Sequence, residues 1–196
     1  MESNNSFVHQ IFKNVSFTEA EVQLIEKNFE KIHLKKGSIL LKADEKVTHQ
    51  YFVVKGCLRT FFSDAKGKEH TVQFAIKDWW ISDFTAVFTE SKAIMNIECI
   101  HDATLYKIAR KDINILFEKI KPLDTFFRIK LEKAYANFQK RILESLSLPA
   151  KQRYISFIQK YPNIEQSVKN YHIASYLGIT TESLSRIRKT LKDTTS

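Results

Sequence analysis

Glu182 and Arg186 stand four residues apart, with Thr180, Thr181 and Ser185 before and between them and Arg188 and Lys189 just beyond. These groups suit the chemistry of a base-pair edge. An arginine fork can donate two bonds to guanine O6 and N7, and a carboxylate can accept from a cytosine amino group. Cations at the far end of the same segment suit phosphates, which supply the salt-dependent, sequence-blind share of affinity. On its own, the Glu182/Arg186 pair is equally an ordinary solvated ion pair at i,i+4, worth about 0.3–0.5 kcal/mol. The surrounding pattern decides between these readings.

At 100° per residue, Leu184, Ile187 and Leu191 gather on one side of a helix over 181–192, while Glu182, Arg186 and Lys189 fall opposite. Thr180 is placed to cap its N-terminus. The preceding run "NYHIASYLG" sets Ile173, Ala174 and Leu177 on a buried side and stops at Gly178, a residue suited to the tight turn between two crossed helices. Ala174 is expected where those helices approach most closely. The layout is that of a helix-turn-helix, whose second helix fits the DNA major groove.

Charge supports a nucleic-acid partner. The chain has 196 residues, 31 Lys+Arg against 22 Asp+Glu and a net charge of +9. From Leu148 to Ser196 eight cations face three carboxylates, so about a quarter of the chain carries over half of the excess.

Upstream, Thr18 to Lys31 reads as a short amphipathic helix with a Thr18/Glu21 start. From His33 to Ile108 short β-rich runs ("SILLK", "QYFVVKGCLRTFF", "HTVQFAI", "NIECI", "ATLYKIA") alternate with turn signals, as in a sandwich or barrel. A long helix follows over 122–148, bounded by Pro122 and Pro149. Its seam of Phe127, Leu131, Ala134 and Phe138 either packs on the chain's own barrel or pairs with a second copy. Helical runs over 151–160 and 170–177 lead to the last helix, with "YPNIEQS" expected as a loop. The implied organisation is a β domain over 1–121, a connecting helix over 122–148 and a DNA-binding head over 149–196.

"IASYLGITTESLSRIRKTL" resembles the helix-turn-helix of the family of the cyclic-AMP receptor protein and the fumarate-nitrate regulator, Crp/Fnr. "KKGSILLKADE", "YFVVKGCLRTFFSDAKGKEHTVQF" and "ATLYKIARKDINILF" are similar to that family's sensor and the helix after it, so the resemblance spans nearly the whole chain. It implies an α+β fold: an N-terminal β-roll of the cyclic-nucleotide-binding jelly-roll type, a long dimerisation helix and a C-terminal helix-turn-helix. It puts Glu182 and Arg186 on the two positions that read bases in the best-known member, whereas Thr181 stands where that member has arginine, implying a different target sequence. It also implies a homodimer on an inverted repeat in double-stranded DNA.

The departures concern the effector. The family's pocket uses a Gly-Glu pair and, ten residues after the Glu, an Arg-Ser pair that grips the cyclic phosphate; here the matching positions are Ser82-Asp83 and Ala93-Ile94. No fork remains for an anionic phosphate, so cyclic AMP is not expected. Trp80, Ser82, Asp83, Ala93 and Ile94 stay the candidate pocket for an unidentified effector, against the reading of Trp79 and Trp80 as barrel plugs. Two cysteines, Cys57 and Cys99, are too few for an iron–sulfur cluster or a disulfide framework, and the six histidines show no haem-like pairing. No cofactor or metal is expected. The N-terminus lacks a signal-peptide pattern and no window suits a membrane helix, so a cytoplasmic protein is expected.

Catalysis finds no support. Ser63 and Lys66 match Ser-x-x-Lys only in a run leading to Gly67 that reads as a hairpin turn, and four glycines form no phosphate loop. After Leu191 only "KDTTS" remains, so no winged hairpin is expected. The rival to a regulator is a small-molecule-binding or protein-interaction module with a vestigial DNA-binding head.

Overall fold

The computed structural model describes residues 6–162 and 164–195. Its elements run α1 (Phe7–Ile11), α2 (Glu19–Asn28), β1 (Phe29–Leu34), β2 (Ile39–Leu41), β3 (His49–Ser63), β4 (Glu69–Ala75), β5 (Trp80–Ile81), α3 (Phe84–Thr89), β6 (Asn96–Ala109), α4 (Arg110–Lys119), α5 (Lys121–Ser147), α6 (Ala150–Lys160), α7 (Ile164–Ser167), α8 (Asn170–Leu177) and α9 (Thr181–Thr195).

Residues up to Thr60 and from Phe74 to Lys133 form one compact unit; Phe61–Gln73 and the residues from Ala134 form the other. The grouping cuts across the sequence division at 121 and 148, because the tip of the β3–β4 hairpin and the second half of α5 fall with the C-terminal helices.

In the first unit the expected helix begins as anticipated: Thr18 Oγ1 accepts from Glu21 N at 3.3 Å, and Thr18 N donates back to Glu21 Oε2 at 2.7 Å. It ends sooner, at Asn28. Phe29 to Lys31 form the start of β1 instead, because they pair antiparallel with Ile108 to Tyr106 of β6. "NIECI" and "ATLYKIA", expected as two strands, are one continuous strand, β6. The sheet order is β1-β6-β3-β4, with β2 on β6 and β5 on β3.

Two apolar clusters hold this unit. Val53, Leu58, Ile81, Ala93, Ile97 and Leu105 are central to one. Val8, Phe12, Ile25, Ile108, Leu116 and Leu123 are central to the other, which joins α1, α2, α4 and the start of α5 to the sheet. Each fully buried aliphatic side chain contributes about 1.5–3 kcal/mol relative to exposure. Gly56, at φ +99°, lets β3 pass against β6: a Cβ there would lie 2.6 Å from Asp102 O and 2.7 Å from Ala103 Cβ.

In the second unit, the Phe157 ring packs at a tilt against those of Tyr161 and Tyr176, at centroid distances of 5.2 Å each. Ile173, Leu177 and Leu184 are buried in the same unit. The run "YPNIEQS", expected as a loop, contains α7, because Ile164 and Val168 are both buried and Val168 N closes on Ile164 O at 2.9 Å. Asn163 lies outside the described residues. The hairpin tip is held by Ser175, whose hydroxyl donates to Glu69 O at 2.9 Å and accepts from Thr71 N at 2.8 Å. Arg141 adds a bond from Nη1 to Val72 O while its guanidinium lies 4.9 Å from the Tyr176 ring centre.

Candidate nucleic-acid interface

Helices α8 and α9 meet through a left-handed turn at Gly178, φ +65° and ψ +38°, whose N–H closes on the last turn of α8. Ile179 N then bonds to Ala174 O at 3.0 Å, carrying the chain away from α8. Thr180 Oγ1 accepts from Ser183 N at 3.2 Å, the cap expected from the sequence. Ala174 is almost wholly buried, which fits a close crossing where a larger side chain has no room.

On α9, Leu184 is fully buried and Ile187 and Leu191 are partly buried, whereas Glu182, Ser185, Arg186 and Lys189 are exposed. The helix is therefore split lengthwise as its periodicity predicts. Glu182 sits in the first turn with Thr181 Oγ1 donating to its Oε1 at 3.0 Å. Its own backbone N–H, then the Thr180 and Thr181 hydroxyls, hold the carboxyl below the ordinary carboxylate range, with Arg186 adding a smaller pull. A hydrogen-bond acceptor is thus preserved at the start of the helix. Ser185 is exposed and its Oγ donates to Thr181 O at 2.9 Å, so its proton is engaged with the helix while the oxygen keeps its capacity to accept.

Arg188 departs from the sequence reading. It was expected beside Lys189 on the phosphate side, but its Nε donates to Tyr154 OH at 3.1 Å and its Nη1 to Asn170 Oδ1 at 2.6 Å, with Glu165 Oε1 3.5 Å from Nη2. It ties α9 to α6, α7 and α8. Its position at i+4 from Leu184 puts it on the border of the buried face, and that angular position was the signal available in the sequence.

The candidate effector residues divide into two groups. Asp83 is fully buried, and both of its carboxylate oxygens accept from backbone: Oδ1 takes Ala86 N at 3.1 Å, and Oδ2 takes Ile94 N at 2.8 Å and Met95 N at 3.1 Å. Ser82 Oγ donates to His49 O at 3.0 Å. Ala93 is buried in the apolar cluster of Val53, Ile81 and Ile97, with its N–H on Glu45 O and its carbonyl on Asp44 N, both at 2.8 Å. Ile94 is half exposed. Asp83 therefore brings Ser82, Ala93 and Ile94 together as a staple. Trp80 belongs elsewhere: its ring packs 5.0 Å from Phe127, 5.5 Å from Phe52 and 6.3 Å from Phe29 in the second cluster, the plug reading.

The Ser63–Lys66 pair lies where β3 ends and the turn begins. Asp64 Oδ1 accepts from Lys66 N and Lys68 N in that turn, and Gly67 adopts φ +75°, so serine and lysine do not share a helix. Among the described residues no group of three or more His, Cys, Asp or Glu is placed to hold a metal, and no helix is long and apolar enough to cross a membrane.

Residues 31–120 match the family model of the cyclic nucleotide-binding domain. The chain superimposes on the c-di-GMP-responsive global regulator CLP of Xanthomonas campestris with a TM-score of 0.70 and 11% identity, over 90% of this chain and 92% of that one. It does so on a regulator classed as crp/fnr from Eubacterium rectale with a TM-score of 0.70 and 20% identity, over 90% and 84%. For FixK2 of Bradyrhizobium japonicum the TM-score is 0.71 at 16% identity, over 85% of each chain. The fold is the Crp/Fnr fold. None of the curated proteins matches the sequence. Within the Crp/Fnr fold, the antiparallel sheet domain, the long α5 and the following helices correspond to the architecture that the resemblance implied. The identities are too low to carry any ligand across, so the chemistry rests on this chain's own residues.

Proposed function

We propose that this chain is a DNA-binding transcription regulator that acts as a homodimer on an inverted repeat. The observation that carries the reading is the division of α9: Leu184 is fully buried while Glu182, Ser185, Arg186 and Lys189 are exposed on the other side. Glu182 and Arg186 are the base readers, Lys189 meets phosphate, and Thr180, Thr181 and Ser185 position the first turn and contribute hydroxyls. Arg188 acts as a brace behind that surface.

The dimer reading draws support from α5. Leu131, Tyr135, Phe138, Ile142 and Leu146 are exposed along it, and Leu146 reaches 80% exposure. Such a run of large apolar side chains on one helix is unusual unless a partner covers it. A two-fold pair would present its α9 helices about 34 Å apart, one turn of DNA. The buried Asp83 and Ala93 argue against cyclic AMP as effector, since the position that should carry a guanidinium is a packed methyl group.

Selection from a pool of randomised duplex DNA, repeated at several salt concentrations, tests the proposal. Enrichment of an inverted repeat is expected. Arg186→Ala should cost about 1–3 kcal/mol and relax one base position per half-site. Uniform, salt-sensitive retention of all sequences would instead favour a module with a vestigial head.

A further inference from the structure

One cation of α9 points away from any duplex that the helix would read. Arg188 turns its fork into the protein, where three helices receive it. Its Nε donates to Tyr154 OH of α6 at 3.1 Å, its Nη1 donates to Asn170 Oδ1 of α8 at 2.6 Å, and its Nη2 lies 3.5 Å from Glu165 Oε1 of α7. We propose that Arg188 is a positioning residue for base recognition: by fixing the tilt of α9 it sets the sequence discrimination of Glu182 and Arg186. The proposal rests on the regulator reading and adds to it a determinant of specificity that touches no base.

The apolar face of α9 is a weak guide by itself. Among its described side chains Leu184 alone is fully buried, while Ile187 and Leu191 are half-buried. Aliphatic packing is non-directional, so it holds roll and tilt of the helix only loosely. A guanidinium is planar with donors in fixed directions, and acceptors on three separate helices define one orientation for it. Tyr154 is buried, so the hydroxyl that receives Nε belongs to the core of the head. Glu165 also offsets the Arg188 charge that a phosphate would otherwise attract.

From Arg188 back to Glu182 the helix rises about 9 Å, so a tilt of about 10° pivoting near Arg188 displaces Glu182 by about 1.5 Å. A working polar constellation tolerates about 0.5 Å. Loss of the fork therefore blurs base readout in a head that stays folded. Sequence-blind attraction to phosphates survives such a displacement, because it depends on charge more than on angle.

The test is equilibrium binding of the full chain to the duplex that the wild type selects and to a scrambled duplex of equal length. It is run at several salt concentrations and normalised to active protein by stoichiometric titration. Arg188→Gln should weaken binding to the selected duplex about tenfold or more, leave the scrambled duplex within about twofold, and keep the wild-type salt slope. Tyr154→Phe, which removes one acceptor and no charge, should lower the same ratio about threefold, and it decides the matter if Arg188→Gln melts early. An unaltered ratio between the two duplexes in the folded variants overturns the proposal, since a purely structural role changes only the active fraction. Equal weakening on both duplexes by Arg188→Gln, with the salt slope reduced by about 1, also overturns it and returns Arg188 to the phosphates. A wild type that selects no sequence strikes the regulator reading and this inference together, whereas a selecting wild type with indifferent variants strikes this inference alone.

Discussion

Asp83 Oδ2 accepts the backbone N–H of Ile94 at 2.8 Å, inside a unit where Asp83 is fully buried. With Ala86 N and Met95 N also on this carboxylate, one side chain satisfies three backbone donors. Asp83→Ala strands those donors and should cost about 3 kcal/mol. A urea unfolding midpoint unchanged in that variant would refute the staple.

Ala93 occupies the position where the cyclic-nucleotide pattern has arginine, yet it is buried within the apolar cluster that also holds Val53, Ile81 and Ile97. Ala93→Arg should therefore destabilise the protein, by about 3 kcal/mol, rather than create a cyclic AMP site. Calorimetry with cyclic AMP on this variant should show no binding; a saturable isotherm would reverse the argument.

Gly56→Ala should be among the most damaging small substitutions in the chain. It combines a φ of +99° with a Cβ 2.7 Å from the Ala103 Cα and Cβ atoms. The loss should be about 3 kcal/mol, read as a lowered melting temperature, while Gly67→Ala, with open space around it, should cost about 1 kcal/mol for its backbone alone.

Burial pushes the Cys57 thiol up to about 12, and the Cys99 thiol up to about 11, so neither forms a thiolate near neutrality. Both should resist an aromatic disulfide reagent at pH 8 in the folded protein and react promptly in guanidinium. Rapid labelling of the native chain would show that one of them is accessible.

The Glu182 carboxyl lies below its ordinary value of 4.5, held there by its own amide and the hydroxyls of Thr180 and Thr181. A depressed carboxyl pKa stabilises the fold above the unfolded value, and that contribution disappears as pH falls through the folded value. Carbon-detected NMR titration should place the Glu182 midpoint under 4.5, and Thr180→Ala should move it upward. A midpoint insensitive to Thr180→Ala would remove the cap from the account.

Much of this arrangement was legible in the residues. The offsets of Ile173, Gly178 and Leu184 fixed the crossing of α8 and α9, and Thr18 with Glu21 marked the start of α2, because caps and helical periodicity are local. What escaped was set by distant partners. Phe29 to Lys31 continue a helical pattern but become strand through pairing with Tyr106 to Ile108. Arg188 reads as a surface cation, and only Tyr154, Asn170 and Glu165, brought in from three other helices, turn it inward. Trp80 sits three residues from Asp83 in the chain but joins the other apolar cluster, a separation that β5 imposes by pairing with β3.

Strand β4 ends the sheet's path, and there the hydroxyl of Ser175 takes the places a neighbouring strand would fill, meeting both Glu69 O and Thr71 N. An open rim of this kind is a template for unwanted association between chains. One serine thus works as a stopper against self-aggregation, and its loss would be felt first in solubility on storage.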